Sequence, residues 1–593
     1  MTSARGSERL RRPALGVAVA AAVALPFLVP DQYVLHVFVM WGIYAVLTLG
    51  LNVINGFAGQ LSIGQGAFYG IGAYAAALLT VDAGWSFWPA TGAAALLAAA
   101  LGMLVSLPVL RVRGIYLGMA TFGFAEIVHV VLRSWEDLTR GPLGIPGILP
   151  PVAFGVDFGS QDRYYFLVLG AVLGSLLLSH RLYQSPVGHA LLALRDDETA
   201  ASLVGIHTTV AKVMAFGVAA GLGGLAGSLF AHYVTYISPE TFPSVESILI
   251  VTMLIVGGRG NAWGAVVGAG VLVALPEALR VVTVFRVLLY GLLLVGAAVF
   301  RPQGIVGQWG LARRRAVPAA DGETVPGRPR SPAADPVLPI LDVDDLRVRF
   351  GGLVALDGVG FRVRPGEVYG VIGPNGAGKT TLFNAITGLA PVERGRVRFA
   401  GRDLAGVAPW RRVRAGIART FQNIRLFASM QVWETIEVGF HGRLRAPGLA
   451  HLVGTPVARA ESARVRRAAD ELLAFVELTA EADQLARNLP YGHQRRLEIA
   501  RALATGPALL LLDEPAAGMN AEECEQLIAL IRRIRERGVT VLLVEHHMQV
   551  VMAACDRILV LNFGRPIAEG PPAAIREDPQ VVAAYLGLDL ARV

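Results

Sequence analysis

The chain has 593 residues, 54% of them hydrophobic, with a mean hydropathy of +0.52 and a net charge of +8. It is too long for a single core and too apolar for a purely soluble protein, so two or more domains are expected, at least one of them in a membrane. The arginines are scattered over domain surfaces and membrane-flanking loops without interleaved aromatics, which argues against nucleic acid as a partner, and the two cysteines, Cys524 and Cys555, lack metal-ligand spacing and fit a reduced cytosolic compartment.

In chain order, Arg5, Arg9, Arg11 and Arg12 precede an apolar run from Ala14 to Val29. Pro26-Phe27-Leu28-Val29-Pro30 is a poor small-residue cleavage site, so an uncleaved first span is expected. A span needs about 20 apolar residues. Candidates run at 14–30, 34–54, 61–80, 88–110, 114–132, 164–180, 210–231, 245–257, 262–280 and 284–300, which gives about eight to ten helices. With the N-terminus inside, Arg111, Arg113, Arg181, Arg195, Arg259, Arg301 and Arg313 to Arg315 fall on the cytoplasmic side. Arg133, Arg140, Arg163, Arg280 and Arg286 fall outside and dilute the rule.

Three stretches of this half stand out. From Asn55 to Gly72, glycines alternate with Gln60, Ser62 and Gln65 at or near membrane depth. Either an interrupted helix lines a cavity there or small residues let helices pack closely. Glu126 is a carboxyl group inside an apolar span, facing a cavity or partner or held by a structural hydrogen bond, with His129 one turn on as a candidate. The stretch Ser185 to Ile206, with Arg195-Asp196-Asp197-Glu198, reads as a short amphipathic helix and charged loop between two spans, suited to docking on a soluble partner. Gly217-x-x-x-Gly221 and Gly223-x-x-x-Gly227 are packing faces. Residues 311–339, rich in Ala, Arg and Pro, read as a flexible tether.

From Leu341 onward the pattern is α/β. A hydrophobic strand ends in Gly373-Pro374-Asn375-Gly376-Ala377-Gly378-Lys379-Thr380-Thr381 and an apolar helix follows. This is a phosphate-binding loop: the glycines let backbone N–H groups point at phosphate oxygens, Lys379 reaches the terminal phosphates and the Thr380 hydroxyl holds Mg²⁺. The chain contains only two lysines, Lys212 and Lys379, so one falls where a compact ammonium suits a crowded phosphate. Phe350 is placed ahead of the loop to stack on a base. Gln422 is a polar residue that meets Mg²⁺ and the attacking water. The apolar strand Leu509 to Leu512 ends in Asp513 and Glu514, the first a Mg²⁺ ligand, the second a group that polarises water. A further buried strand ends in Glu545-His546, with His546 at the γ-phosphate.

Leu489-Pro490-Tyr491-Gly492-His493, followed by Gln494-Arg495-Arg496-Leu497-Glu498-Ile499-Ala500-Arg501-Ala502-Leu503, resembles the signature motif of ATP-binding-cassette ATPases. In its Leu-Pro-Tyr-Gly form it resembles the ATPase subunit of branched-chain amino-acid importers; His493 departs from the commoner Gln. Leu49-Gly50-Leu51-Asn52, Gly56-Phe57-Ala58-Gly59, Ala125-Glu126-Ile127, Tyr236-Ile237-Ser238-Pro239-Glu240 and Phe300-Arg301-Pro302-Gln303-Gly304 resemble one permease subunit of the same family. The resemblance implies a polytopic α-helical membrane domain at 1–310, with a coupling helix near 188–206, fused to a soluble α/β P-loop ABC ATPase domain at 340–593. It implies ATP and Mg²⁺ as cofactors, with Leu489 to His493 facing the nucleotide of another cassette.

It also implies partners: a second permease subunit, a second ABC ATPase subunit and an extracytoplasmic substrate-binding protein. The lipid of a bacterial inner membrane surrounds the permease and the ATPase domain is cytoplasmic. The expected function is ATP-driven uptake of branched-chain or other hydrophobic amino acids. Uptake of urea or short amides is the alternative, and an ATPase that regulates a membrane partner without moving solute is a third reading. An exporter fits poorly, because its membrane helices are fewer and longer.

Overall fold

The computed structural model describes residues 16, 19–29, 31–112, 114–153, 155–278, 286–301, 303–307 and 338–586. Arg5, Arg9, Arg11, Arg12, Arg113, Arg280, Pro302, Arg313 to Arg315 and the tether up to 337 lie outside the described residues. The chain divides into two compact units, Met1–Leu191 with Thr209–Arg313, and Leu192–Thr208 with Arg314–Val593. A stretch from within the membrane half thus groups with the ATPase half.

In the first unit, among the described residues, six helices are long and apolar enough to cross a membrane: Gln32–Phe57, Phe87–Val109, Ile115–Ser134, Gln161–Gln184, Thr208–Val234 and Pro239–Gly257. Shorter helices at Val19–Leu28, Gln65–Val81, Ala262–Ala278 and Arg286–Phe300 stand where the other spans were expected. Helix Gln32–Leu51 widens into a π-helical turn over Asn52–Phe57, and the chain is then non-helical until Gln65. Irregular backbone at membrane depth needs internal partners, and the polar side chains supply them. Asn55 binds Ser62 twice, donating to its carbonyl at 3.1 Å and accepting its N–H at 2.9 Å. Thr121 Oγ1 accepts the Ile63 N–H at 2.9 Å, and Ser247 Oγ accepts the Gly66 N–H at 3.0 Å.

Close packing operates in the same stretch, beside the helix break. A Cβ on Gly72 would fall 2.3 Å from the Gly224 backbone. The two glycine pairs of Thr208–Val234 serve different neighbours. A Cβ at Gly217 or Gly221 would meet Met103 or Ala99, and one at Gly223 or Gly227 would meet Phe68 or the Tyr69 carbonyl. One of the readings of Glu126 is excluded. His129 Nδ1 lies 3.2 Å from the Phe242 carbonyl oxygen, on the inner side of its helix, while Glu126 is exposed, so the two do not pair.

The second unit is built on two sheets. One has six strands in the order Ile417–Arg419, Leu509–Asp513, Thr540–Val544, Val368–Ile372, Arg557–Asn562 and Arg565–Gly570, with the first five parallel and the last antiparallel. Its central strands are apolar at nearly every position because both faces are covered, one by helices and the other by the second sheet with helix Lys379–Thr387, and every residue of Val368–Ile372, Leu509–Asp513 and Thr540–Val544 is buried. The other sheet is antiparallel, in the order Leu353–Val363, Leu341–Phe350, Arg394–Phe399 and Arg402–Asp403.

Candidate nucleotide site

Register assembles the site. Asp513 lies opposite Val544, and Val544 opposite Val371. Three parallel strands therefore end side by side, and their exits, the Gly373 loop, Asp513-Glu514 and Glu545-His546, share one edge of the sheet. In open parallel sheets, ligands bind at that carboxyl edge.

The loop from Gly373 to Gly378 curls into helix Lys379–Thr387. Two glycines are required by space as well as by backbone angle: a Cβ at Gly373 (φ 153°) would lie 2.1 Å from the Leu561 carbonyl oxygen, and at Gly378 (φ 98°) 2.7 Å from Leu356 Cδ2. Lys379 is buried and its Nζ donates back to the carbonyls of Gly373 (2.7 Å) and Pro374 (3.1 Å). Burial lowers its pKa, opposed by the nearby Glu514 and Asp513. Asn375, Gly376 and Thr380 are exposed, Ala377 is buried and Thr381 is half-buried.

Asp513 is buried beneath the loop, and its Oδ2 accepts from Arg419 Nη2 at 2.8 Å. Burial pushes its carboxyl up in pKa, and Arg419 pulls the other way. Its Oδ1 is buried with no hydrogen-bond partner among the described residues. An orphaned carboxylate oxygen beside a phosphate loop fits a Mg²⁺ ligand, directly or through water. Glu514 has a left-handed backbone (φ 45°), and its N–H donates to the Val544 carbonyl at 2.8 Å. Gln422 Nε2 donates to Glu514 Oε2 at 2.8 Å, and His546 Nδ1 lies 3.6 Å from the same oxygen. The structure thus gathers Gln422, Glu514 and His546 around one carboxyl group. Phe350 lies exposed at the end of its strand.

The signature segment opens helix Tyr491–Ala504, with Leu489 buried, Pro490 at the N-cap and Tyr491 exposed. Gly492 packs against Glu523, whose Oε1 a Cβ would approach to 2.6 Å. His493 Nδ1 sits 3.6 Å from Glu481 Oε1.

Sequence reasoning overlooked the charged cluster inside this helix. Arg495, Glu498 and Arg501 are buried. Arg495 donates to Glu498 Oε2 (2.9 Å) and to the carbonyls of Phe421, Gln422 (2.8 Å) and Glu514 (3.5 Å). Glu498 Oε1 accepts the Phe421 N–H at 3.2 Å, and Arg501 donates to the Arg425 carbonyl. Burial raises the pKa of the Glu498 carboxyl, and Arg501 and Arg495 oppose it. The helix therefore grips the loop that carries Gln422. The i, i+3 spacing of Arg495 and Glu498 is the only sequence signal, and it marks many exposed helices as well. The far end of that loop meets the stretch from the membrane half. Ser429 binds Asp196, Arg425 Nη1 donates to Asp197 Oδ2 at 2.9 Å, and His207 packs on Trp410 with ring centroids 4.6 Å apart.

Family comparisons match both halves. Residues 33–298 match the permease component of branched-chain amino-acid transport systems. Residues 356–517 match ABC transporters and 565–589 the branched-chain amino-acid ATP-binding cassette transporters. The chain is 47% identical over 250 residues to the branched-chain amino-acid transport ATP-binding protein BraF of Pseudomonas aeruginosa, covering 42% of this chain and 98% of that one. The chain belongs to the branched-chain amino-acid ABC transporter family. It is also 38% identical over 308 residues to the permease LivM of Escherichia coli, covering 48% of this chain and 72% of that one. A nucleotide-free ATP-binding cassette of known structure shares 33% identity over 42% of this chain and 99% of that one, with a TM-score of 0.38. The chain is thus a membrane-transporter component that joins a permease domain to an ABC ATPase domain that binds and hydrolyses ATP. Relatives divide these parts between separate subunits, so partner permease and ATPase subunits are implied.

Proposed function

We propose that this chain imports branched-chain and other hydrophobic amino acids as the permease-plus-ATPase subunit of a bacterial inner-membrane transporter. The permease domain spans 1–310 with its N-terminus in the cytoplasm, 311–339 is a tether, and 340–593 is the cytoplasmic ATPase domain. An extracytoplasmic binding protein delivers substrate. Phe350 and the residues Gly373, Pro374, Asn375, Gly376, Ala377, Gly378, Lys379, Thr380 and Thr381 hold ATP. Thr380, Asp513 and Gln422 hold Mg²⁺, which when bound neutralises phosphate charge. Glu514 takes a proton from the attacking water, oriented by Gln422 and His546. Leu489 to His493 face the nucleotide of the second cassette, and Asp196 and Asp197 transmit its closure to the permease.

The observation that carries this reading is the hydrogen bond between Gln422 and Glu514. It links the site of hydrolysis to the loop whose far end holds Asp196 and Asp197, in a chain whose membrane half matches branched-chain permeases. The test is uptake by the reconstituted complex with its binding protein, using radiolabelled leucine and urea. ATP-dependent leucine uptake is expected. Uptake of urea without leucine would overturn the substrate assignment, and leucine uptake that survives Glu514→Gln would overturn the pump.

A further inference from the structure

Glu126 stands near the middle of membrane helix Ile115–Ser134 and is exposed. Tyr116, Met119, Ile127 and Val130 share its side of the helix, with exposures of 72, 64, 63 and 50%. With Gly123 between Met119 and Ile127, their spacing of three and four residues makes one continuous stripe. Gly123, a turn before Glu126, has open space where a Cβ would stand.

The opposite side fixes how the helix is turned. Leu117, Gly118, Thr121 and Ala125 are buried. Thr121 holds the Ile63 N–H, Phe124 packs on Phe68 with centroids 5.6 Å apart, and His129 meets the Phe242 carbonyl. Rotating Glu126 inward would break all three contacts. Among the described residues, none hydrogen-bonds or ion-pairs with its carboxyl group, and Arg133, further along the helix, lies 4.0 Å from Glu240 instead.

A carboxyl group in mid-span against hydrocarbon is costly, and lipid tails offer it no hydrogen bond. Bulk water suits Glu126 but not the four large apolar side chains around it. The cover that suits both is protein with an apolar helix face and a polar path running along it. We infer that this stripe faces the second permease across the substrate path, and that the Glu126 carboxyl group receives the α-ammonium group of the passing amino acid. The inference rests on the import reading and adds the face and the residue. The substrate's ammonium brings three donors and a positive charge, and its hydrocarbon side chain meets Met119 and Ile127.

The test uses the full complex in proteoliposomes. A photo-crosslinking residue at Ile127 is expected to capture the second permease, and the same residue at Leu177, exposed on helix Gln161–Gln184, is not. Glu126→Gln is expected to lower leucine uptake about tenfold or more, as for one lost charge-assisted hydrogen bond, and to raise the ATP spent per leucine by the same factor. Glu126→Asp is expected to recover most of it. Capture at Leu177 but not Ile127 overturns the placement of the face. Normal uptake in Glu126→Gln, or uptake and hydrolysis falling together, overturns the role of the carboxyl group. If the wild-type complex carries no leucine, the import reading fails, and the cross-links still judge the face.

Discussion

Ser429 is joined twice to Asp196: its backbone N–H and its hydroxyl each donate to Asp196 Oδ2 at 2.7 Å. Arg195 reaches the same hydroxyl at 2.6 Å. Asp197, next in the chain, both receives Arg425 and caps the short helix Glu198–Ser202 by accepting the Ala200 N–H at 2.8 Å. Ser429 and Arg425 lie on the loop that begins at Gln422, so, on the proposed coupling, a shift of that loop is expected to move the Asp196–Asp197 stretch with it. Hydrogen bonds to charged groups contribute about 1.5–3 kcal/mol each. Asp196→Ala is therefore expected to lower uptake about tenfold while ATP hydrolysis continues. Ser429→Ala combined with it should add little, because the two act through one contact. Unchanged coupling in Asp196→Ala would refute the link.

The carboxyl group of Glu514 accepts from Gln422 and has the His546 imidazole 3.6 Å away. Glu514→Gln keeps the shape and a donor–acceptor end but not the basicity. ATP turnover should fall by about 10² to 10⁴, the usual contribution of a positioned base, with ATP binding retained. Phosphate release and nucleotide binding on the purified chain measure the two separately. Equal loss of both would mean that the substitution damages the site rather than the chemistry.

Much of this site was legible because phosphate binding restricts the residues that can perform it. A turn that needs positive φ and close backbone approach leaves glycine at Gly373 and Gly378, and a buried strand that ends in two acids must present them to a cation or a proton. What the sequence could not carry is register and rotation. The pairing of Asp513 with Val544 and of Val544 with Val371 depends on long-range packing, and so does the grip of Arg495 on a carbonyl more than seventy residues away. His129, one candidate partner for Glu126, was excluded for the same reason. Spacing put both side chains within one turn, but contacts to Ile63 and Phe242 set the rotation of the helix and left Glu126 on its outer side.

The buried trio Arg495, Glu498 and Arg501 predicts an unusual pattern of stability. Removing the middle carboxylate strands two guanidinium groups in the interior, so Glu498→Ala should destabilise the ATPase domain by about 3–5 kcal/mol. Glu498→Gln keeps one acceptor oxygen, enough for Arg495 or for the Phe421 N–H but not both, and should cost less than the alanine. A double replacement of Arg495 and Glu498 by methionine and leucine removes both charges and should restore part of the loss, yet leave ATP hydrolysis slow because the Gln422 carbonyl loses the Arg495 donor that holds its loop. Thermal unfolding of the purified chain, read beside ATP turnover, separates the two effects. A double variant as active as wild type would show that the cluster only fills space.

His441 gives the domain a pH dependence whose sign can be worked out. Burial, with Arg414 and His451 nearby, lowers its pKa to about 4, against an ordinary value of 6.5. Below pH 6.5 the unfolded chain takes up a proton there that the folded chain refuses until pH 4. Its contribution to stability is therefore complete above the unfolded value and drains away as pH falls through that window, to a limit of about 3 kcal/mol. The imidazole sits in the turn His441–Arg443, next to the point where Gly442 meets Gly205 of the docked stretch. Acidification should accordingly loosen that contact along with the fold. His441→Gln cannot take the proton, and its unfolding temperature should fall less than that of the wild type between pH 6.5 and 4. Parallel curves for the two proteins across that range would rule His441 out as the group responsible.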